Sequence, residues 1–151
     1  MDKSEIEKYL QERYTPQVTW YDFKAGKNQL LYVTFQWGLI ILAALTPVLV
    51  ALSTKFPNSP WFYWIPTVSS ALVAILGSSL KTFRYQENWI NYRATCELLR
   101  KEYYLYQAGV DEYEHVTDKD SLFVDRVETI MARETNAWVV TQKKHTDSKK
   151  T

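Results

Sequence analysis

Few side chains in this chain are of a type that does chemistry. Its two histidines are His115 and His145, and its one cysteine is Cys96. His115 sits in DEYEHVTD beside Asp111, Glu112, Glu114 and Asp118. A metal centre there would need a second His or Cys at ligand spacing. None is near, so the segment reads as a solvated acidic loop and no metal is expected. His145 lies close to the C-terminus. Cys96 has no candidate base three or four residues away, which favours core packing over nucleophilic chemistry. The four glycines, Gly26, Gly38, Gly77 and Gly109, form no phosphate-cradling loop. No catalytic constellation emerges, no cofactor is implied, and an enzyme is not expected.

The informative polar residues are uncharged and embedded in apolar sequence. Thr67, Ser70, Ala74 and Gly77 recur at spacings of 3, 4 and 3 and lead to Lys81, with Ser78 beside them. Val68, Leu72, Ile75 and Leu76 lie on the other side. A stripe of small side chains lets helices approach closely in lipid. The same stripe suits the wall of a water-filled path, and one edge can pack while the other faces an axis. Gln36 is an amide deep in apolar sequence, so it calls for a partner on another helix or for water. Pro47, after Thr46, deprives the Ala43 carbonyl of its helical donor and is a candidate hinge.

These residues need elements that hold them. Averages over the 151 residues, 46% hydrophobic and 23% charged with net charge +1, describe an ordinary soluble domain, as does the mean hydropathy of -0.32. The distribution does not. Between Asn28 and Leu80 the only charged residue is Lys55, whereas the flanks are charged at about one residue in three. Asn28–Thr54 and Phe56–Leu80 are uncharged stretches, each longer than the roughly 20 residues that cross a hydrocarbon core. Too little chain remains to bury two such helices in a soluble core. Residues 28–53 and 61–81 are therefore expected to be transmembrane helices, both free of Asp, Glu, His and Arg, with Lys only at the end of the second. Proton relays, voltage sensors and ion-coupled carriers place such groups inside the membrane, and none of these is expected. The linker 54–60, with Pro57, Asn58, Ser59 and Pro60, reads as a tight extracytoplasmic turn between antiparallel helices. Trp61, Phe62, Tyr63 and Trp64 read as an interfacial aromatic belt. Lys8, Arg13, Lys24 and Lys27 precede the first span and Lys81, Arg84, Arg93 and Arg100 follow the second, which by the positive-inside rule puts both termini in the cytoplasm. One cysteine excludes a disulfide scaffold. Near-zero net charge gives no pull toward nucleic acid, and no secretory signal is expected.

The arms read as helical. Tyr85, Trp89, Tyr92, Cys96, Leu99, Tyr103 and Tyr106 recur at 4, 3, 4, 3, 4 and 3, a heptad seam for helix packing within the chain or between subunits. The helix is expected to continue the second span without a break and to stop at Gly109. Another helix is expected from about Asp120 to Gln142, capped by Asp118 or Asp120, with Phe123, Val127, Ile130, Met131 and Trp138 as its apolar stripe. In the N-terminal arm 1–27, Ile6, Tyr9, Leu10 and Tyr14 predict one helix ending before Pro16, and Val18–Lys27 a second. Residues 82–142 make the cytoplasmic helices, and 143–151 a disordered tail. All of this forms one domain.

Trp20-Tyr21, Lys24-Ala25, the two-span hairpin, then Tyr85, Trp89, Tyr92-Arg93, Cys96-Glu97, Leu99, Glu102 and Tyr103-Tyr104, followed by a helix from Phe123 to Trp138, carry a family resemblance. From about Tyr9 to Gln142 the chain resembles the SLATT-type bacterial two-transmembrane effectors. That resemblance implies membrane pores, often found beside nucleotide-sensing conflict systems, and supplies no catalytic residue.

The expectation is thus an all-α protein of the bacterial plasma (inner) membrane: a two-span hairpin with cytoplasmic N- and C-terminal helices. Its partners would be the lipid bilayer, further copies of itself and permeating ions, with no nucleic acid. It would work as a homo-oligomeric channel or pore-forming effector lined mainly by the second span. The alternative is a non-conducting anchor or scaffold whose cytoplasmic helices recruit a partner.

Overall fold

The computed structural model describes residues 2–55 and 60–147, except for the side chains of Pro60, Tyr63 and residues 134–147. It is all-helical, with no strand among the described residues. In chain order the elements are α1 (Lys3–Tyr9), a π-turn (Leu10–Tyr14), α2 (Thr15–Lys55), α3 (Pro60–Phe83), α4 (Tyr85–Ala108), a 3-10 turn (Asp111–Tyr113) and α5 (Lys119–Asp147). The chain divides into two compact units, residues 1–25 with 90–151, and residues 26–89.

The first unit is a helical bundle. Asp2 opens α1 with a reciprocal capping box: the Glu5 amide donates to the Asp2 carboxylate and the Asp2 amide donates to the Glu5 carboxylate at 3.0 Å, with the Lys3 amide also donating to Asp2 at 2.7 Å. Pro16 was expected to end this helix, but the chain stays helical through it. The Thr15 amide reaches back five residues to the Leu10 carbonyl, giving a single wide turn. Pro16 brings no donor of its own, and the π-turn shifts the hydrogen-bond ladder just before it. Tyr14, which ends the wide turn, is buried and donates to the Leu99 carbonyl at 2.9 Å.

The aromatic seam is consumed within the chain. Cys96 and Leu99 are fully buried, and Tyr92, Tyr103 and Tyr106 pack against the same core. Tyr14 stacks on Tyr103 at 5.3 Å, Tyr106 stacks on Phe123 at 4.6 Å, and Trp20 meets Tyr92 edge-on at 5.6 Å. Of the two uses expected for the seam, packing within the chain is the one seen for Cys96 and Leu99, with Tyr92, Tyr103 and Tyr106 part-buried against the same core. One chain already supplies the opposing surface from its N-terminal helix and α5. The bundle is edged by ion pairs: Arg13 donates twice to Glu128 at 3.0 Å, and Asp22 accepts from Arg93 at 3.1 Å with Arg100 at 3.4 Å.

Gly109 stops α4 at φ +64, and its amide donates to the Leu105 carbonyl at 2.9 Å. Asp118 is the residue that caps α5, accepting from the Ser121 amide at 3.1 Å and hydroxyl at 2.7 Å. Phe123, Val127 and Met131 are its buried stripe, with Ile130 packed at the edge; the Trp138 side chain lies outside the described residues. The helix runs on to Asp147, past the expected end at Gln142 and into the segment expected to be a disordered tail.

The second unit is the apolar hairpin. The continuous helical run Lys3–Lys55 contains a stretch of mean hydropathy 2.1 of which 0% is buried, and the run from Trp64 contains one of 1.2 with 6% buried. Both are long and apolar enough to cross a membrane. A hairpin forming the core of a soluble protein would instead be covered. The turn residues Pro57, Asn58 and Ser59 lie outside the described residues. Trp61 and Trp64 are exposed at 77% and 60%. The expected unbroken passage from the second span into the next helix is not found. Arg84 separates α3 from α4 with a left-handed φ of 48°.

Candidate functional site

The hairpin's two helices pack antiparallel. Gly38 lies against Leu76, Gly77 against Leu39, and Thr46 against Ser69, so residue numbers fall on α3 as they rise on α2. A Cβ on Gly38 would sit 3.7 Å from Leu76 Cδ1, and one on Gly77 would sit 3.9 Å from Leu39 Cδ1. Both are ordinary contact distances. The hydroxyls of Thr46 and Ser69 are 2.8 Å apart, and Ser69 is 5% exposed. Thr46 also has the Leu42 carbonyl at 2.7 Å as a hydrogen-bond acceptor. This linked pair is the polar core of the hairpin.

Helical rotation of about 100° per residue resolves α3 into three faces. Pro66 and Ser69 are buried, and Val73, Leu76, Gly77 and Leu80 are half-buried; together they form the face turned to α2. Thr67, Ser70, Ala74 and Ser78 form a second face and are all exposed. Val68, Leu72 and Ile75 form a third, exposed at 54%, 43% and 59%. The predicted stripe is therefore real as a face, except for Gly77. Gly77 belongs to the packed face, because α3 meets Leu39 there. Ser70 donates to the Pro66 carbonyl at 2.9 Å, so its hydroxyl is tied to its own helix while its surface stays open. The cytoplasm-ward end of this surface, in the orientation expected above, is an open cleft of about 360 Å³ lined by Ala74, Ile75, Ser78, Ser79, Thr82 and Phe83.

On α2, Phe35, Leu39, Leu42, Thr46 and Leu49 share the packed side. Gln36 is half-buried at its flank, and Pro47 is exposed within an uninterrupted helix. At the far end of the packed face Tyr85 stacks on Phe35 at 5.8 Å and on Phe83 at 5.5 Å. Trp89 is half-buried, and its ring N–H is a buried donor without a hydrogen-bond partner among the described residues.

Sequence reading missed Ser69, naming its neighbour Ser70 instead. The signal that finds it is Pro66 three residues earlier on the same face as Val73 and Leu76. It also missed Glu102, which is 5% exposed in the bundle, accepts a hydrogen bond from Tyr113 and contacts Arg126 Nε at 2.5 Å off the N–H axis. Arg126 also pairs with Glu112. A Glu on a charged helix gives no sign of burial until the 3-10 turn folds Tyr113 over it. The Tyr113 hydrogen bond and the Arg126 ion pairs tie this group together, and it reads as a lock on the α4–α5 connection. Elsewhere burial pushes the Tyr14 hydroxyl up to about 12 and raises the Cys96 thiol, which keeps the thiol protonated and unreactive. No group of three or more potential metal ligands occurs among the described residues.

The family model described as "Protein of unknown function (DUF4231)" matches residues 16–121, which takes in the first span, the hairpin turn, α3, α4 and the acidic loop. No curated protein and no solved structure matches the chain. With well over half its length matched, the chain belongs to the DUF4231 family of proteins of unknown function.

Proposed function

We propose that this protein is a homo-oligomeric channel or pore of the bacterial inner membrane, with both termini in the cytoplasm. The supporting observation is the division of α3 into three faces. One is used up against α2, one is purely aliphatic and suits lipid, and one carries the exposed Thr67, Ser70, Ala74 and Ser78. Two helices cannot enclose a path, so that third face does its work only when several copies place it around an axis. Hydroxyl-bearing and small residues there would tolerate both a neighbouring helix and a file of water. The absence of acidic and basic groups from the faces of both spans favours passive conduction over ion-coupled transport. The resemblance to SLATT-type effectors points the same way.

A second reading, a non-conducting anchor, draws on Leu98 and Tyr104 of α4, exposed at 52% and 68% on the side of the bundle away from its core. The two readings separate on one sample. Purified protein is counted by native mass spectrometry, then reconstituted into liposomes for an ion-flux assay. Four or more copies with flux that scales with protein support the pore; a dimer with no flux supports the anchor.

A further inference from the structure

The joint between α3 and α4 sets the chain's local preference against its tertiary contacts. Residues 81–89 read KTFRYQENW, and no Gly or Pro occurs between Gly77 and Gly109. Arg is among the better helix formers and no helix breaker occurs from Lys81 to Trp89, so this segment by itself is compatible with one continuous helix. Instead Arg84 adopts φ 48°, a left-handed conformation in which an L side chain crowds the following carbonyl. Outliers of this kind persist only where the surroundings over-determine them. Here two sets of contacts do so. Phe83 and Tyr85, on either side of Arg84, stack on each other at 5.5 Å, and Tyr85 stacks on Phe35 of α2 with its ring nearly parallel at 9°. The Asn88 side-chain amide donates to the Phe83 carbonyl at 3.2 Å, taking up an acceptor left at the end of α3. The hydrogen bond from the Asn88 backbone amide to the Arg84 carbonyl at 3.0 Å and the pairing of Glu87 with the Arg84 guanidinium are ordinary first-turn contacts of α4, open to either form.

We infer that Arg84 is the hinge of a two-state joint, in which an aromatic clamp of Phe35, Phe83 and Tyr85 holds the broken form against an uninterrupted α3–α4 helix. The two forms differ at one residue's backbone and a few contacts, so modest forces exchange them. The joint ends the same helix that presents Ser70, Ala74 and Ser78, and Thr82 and Phe83 line the cleft next to it. Straightening the joint would therefore re-aim that end of α3. The link from joint to conduction rests on the pore reading, whereas the existence of two states does not.

Two substitutions push in opposite directions. Arg84→Gly removes the left-handed penalty and shifts the equilibrium toward the broken form by about tenfold. Phe35→Ala removes the ring that Tyr85 stacks on and shifts it toward the continuous form. The test is a pulsed electron-spin distance measurement on full-length protein in nanodiscs, with labels at Val68→Cys and Lys101→Cys in a Cys96→Ala background. The expected result is two distance populations whose ratio moves one way with Arg84→Gly and the other way with Phe35→Ala. A single population unmoved by either variant overturns the inference. So does Arg84→Gly lowering rather than raising the thermal midpoint, since a relieved hinge must stabilise the form observed. Conductance recorded on the same samples then reports separately on the pore: two populations without currents would leave the hinge standing and remove its gating role.

Discussion

Leu99 anchors the bundle through both its side chain and its backbone. It is fully buried, and its carbonyl accepts from Tyr14, so side chain and backbone both anchor the N-terminal helix to α4. Truncating it leaves a cavity that tight neighbours refill poorly. Leu99→Ala is expected to cost about 2–5 kcal/mol, and Tyr14→Phe about 1 kcal/mol for the lost hydrogen bond, both read by chemical denaturation. Acid should act through two carboxyls. Hydrogen bonds from Arg13 hold Glu128 below its usual range, and those from Ser121 hold Asp118 down at about 2. Both are depressed in the fold, so their contribution is complete above the ordinary values of 4.5 and 3.8. It drains away as pH falls through the lower folded values. Melting temperature should hold steady from neutral pH to about 5 and then decline, with a shallower decline in Glu128→Gln and Asp118→Asn. Equal acid slopes in all three proteins would show that other groups dominate. Both carboxyls are well exposed, so salt should blunt the effect.

Among the elements, the hairpin depends on close approach and one polar contact. Leucine side chains from each helix reach over Gly38 and Gly77, and Ser69 with Thr46 supplies the hydrogen bond. Ser69→Ala should weaken the hairpin by about 0.6–1.7 kcal/mol, measured by unfolding in mixed micelles, whereas Ser70→Ala, on the open face, should not. The sequence made the helices easy to find. Charge-free runs of hydrophobic residues, a heptad of aromatics and Gly109 before an acidic loop each leave a local mark. It did not reveal the break at Arg84 or the wide turn at Leu10–Tyr14, because neither has one. No Gly, Pro or other helix breaker flanks Arg84, and its conformation is supported by a ring on α2 that is remote in sequence. Pro16 marked trouble in the right place, but a π-turn and a helix end look alike from composition. The choice between Ser69 and Ser70 required knowing which side of α3 meets α2, information carried by Gly38 and Thr46 on another helix. The seam was legible as a seam; that its partner lay in the same chain was not.

At the scale of the molecule, a self-sufficient bundle leaves assembly to other surfaces. With Cys96, Leu99 and the tyrosines packed internally, the proposed assembly would use the open face of α3 and the outer side of α4. The Lys and Arg flanking each apolar helix carry the proposal that both termini are cytoplasmic. A reporter fused after Thr151 should therefore be active in the cytoplasm, and periplasmic activity would reverse the topology. The pore itself is tested by single-channel recording of the purified protein in planar bilayers. Wild type should give discrete unitary currents. Ser70→Trp and Ser78→Trp should reduce or abolish their amplitude, and Val68→Trp, on the aliphatic face, should leave it unchanged. Absence of unitary currents from inserted oligomers, or amplitudes indifferent to a tryptophan at Ser70 and Ser78, would contradict a pore walled by α3.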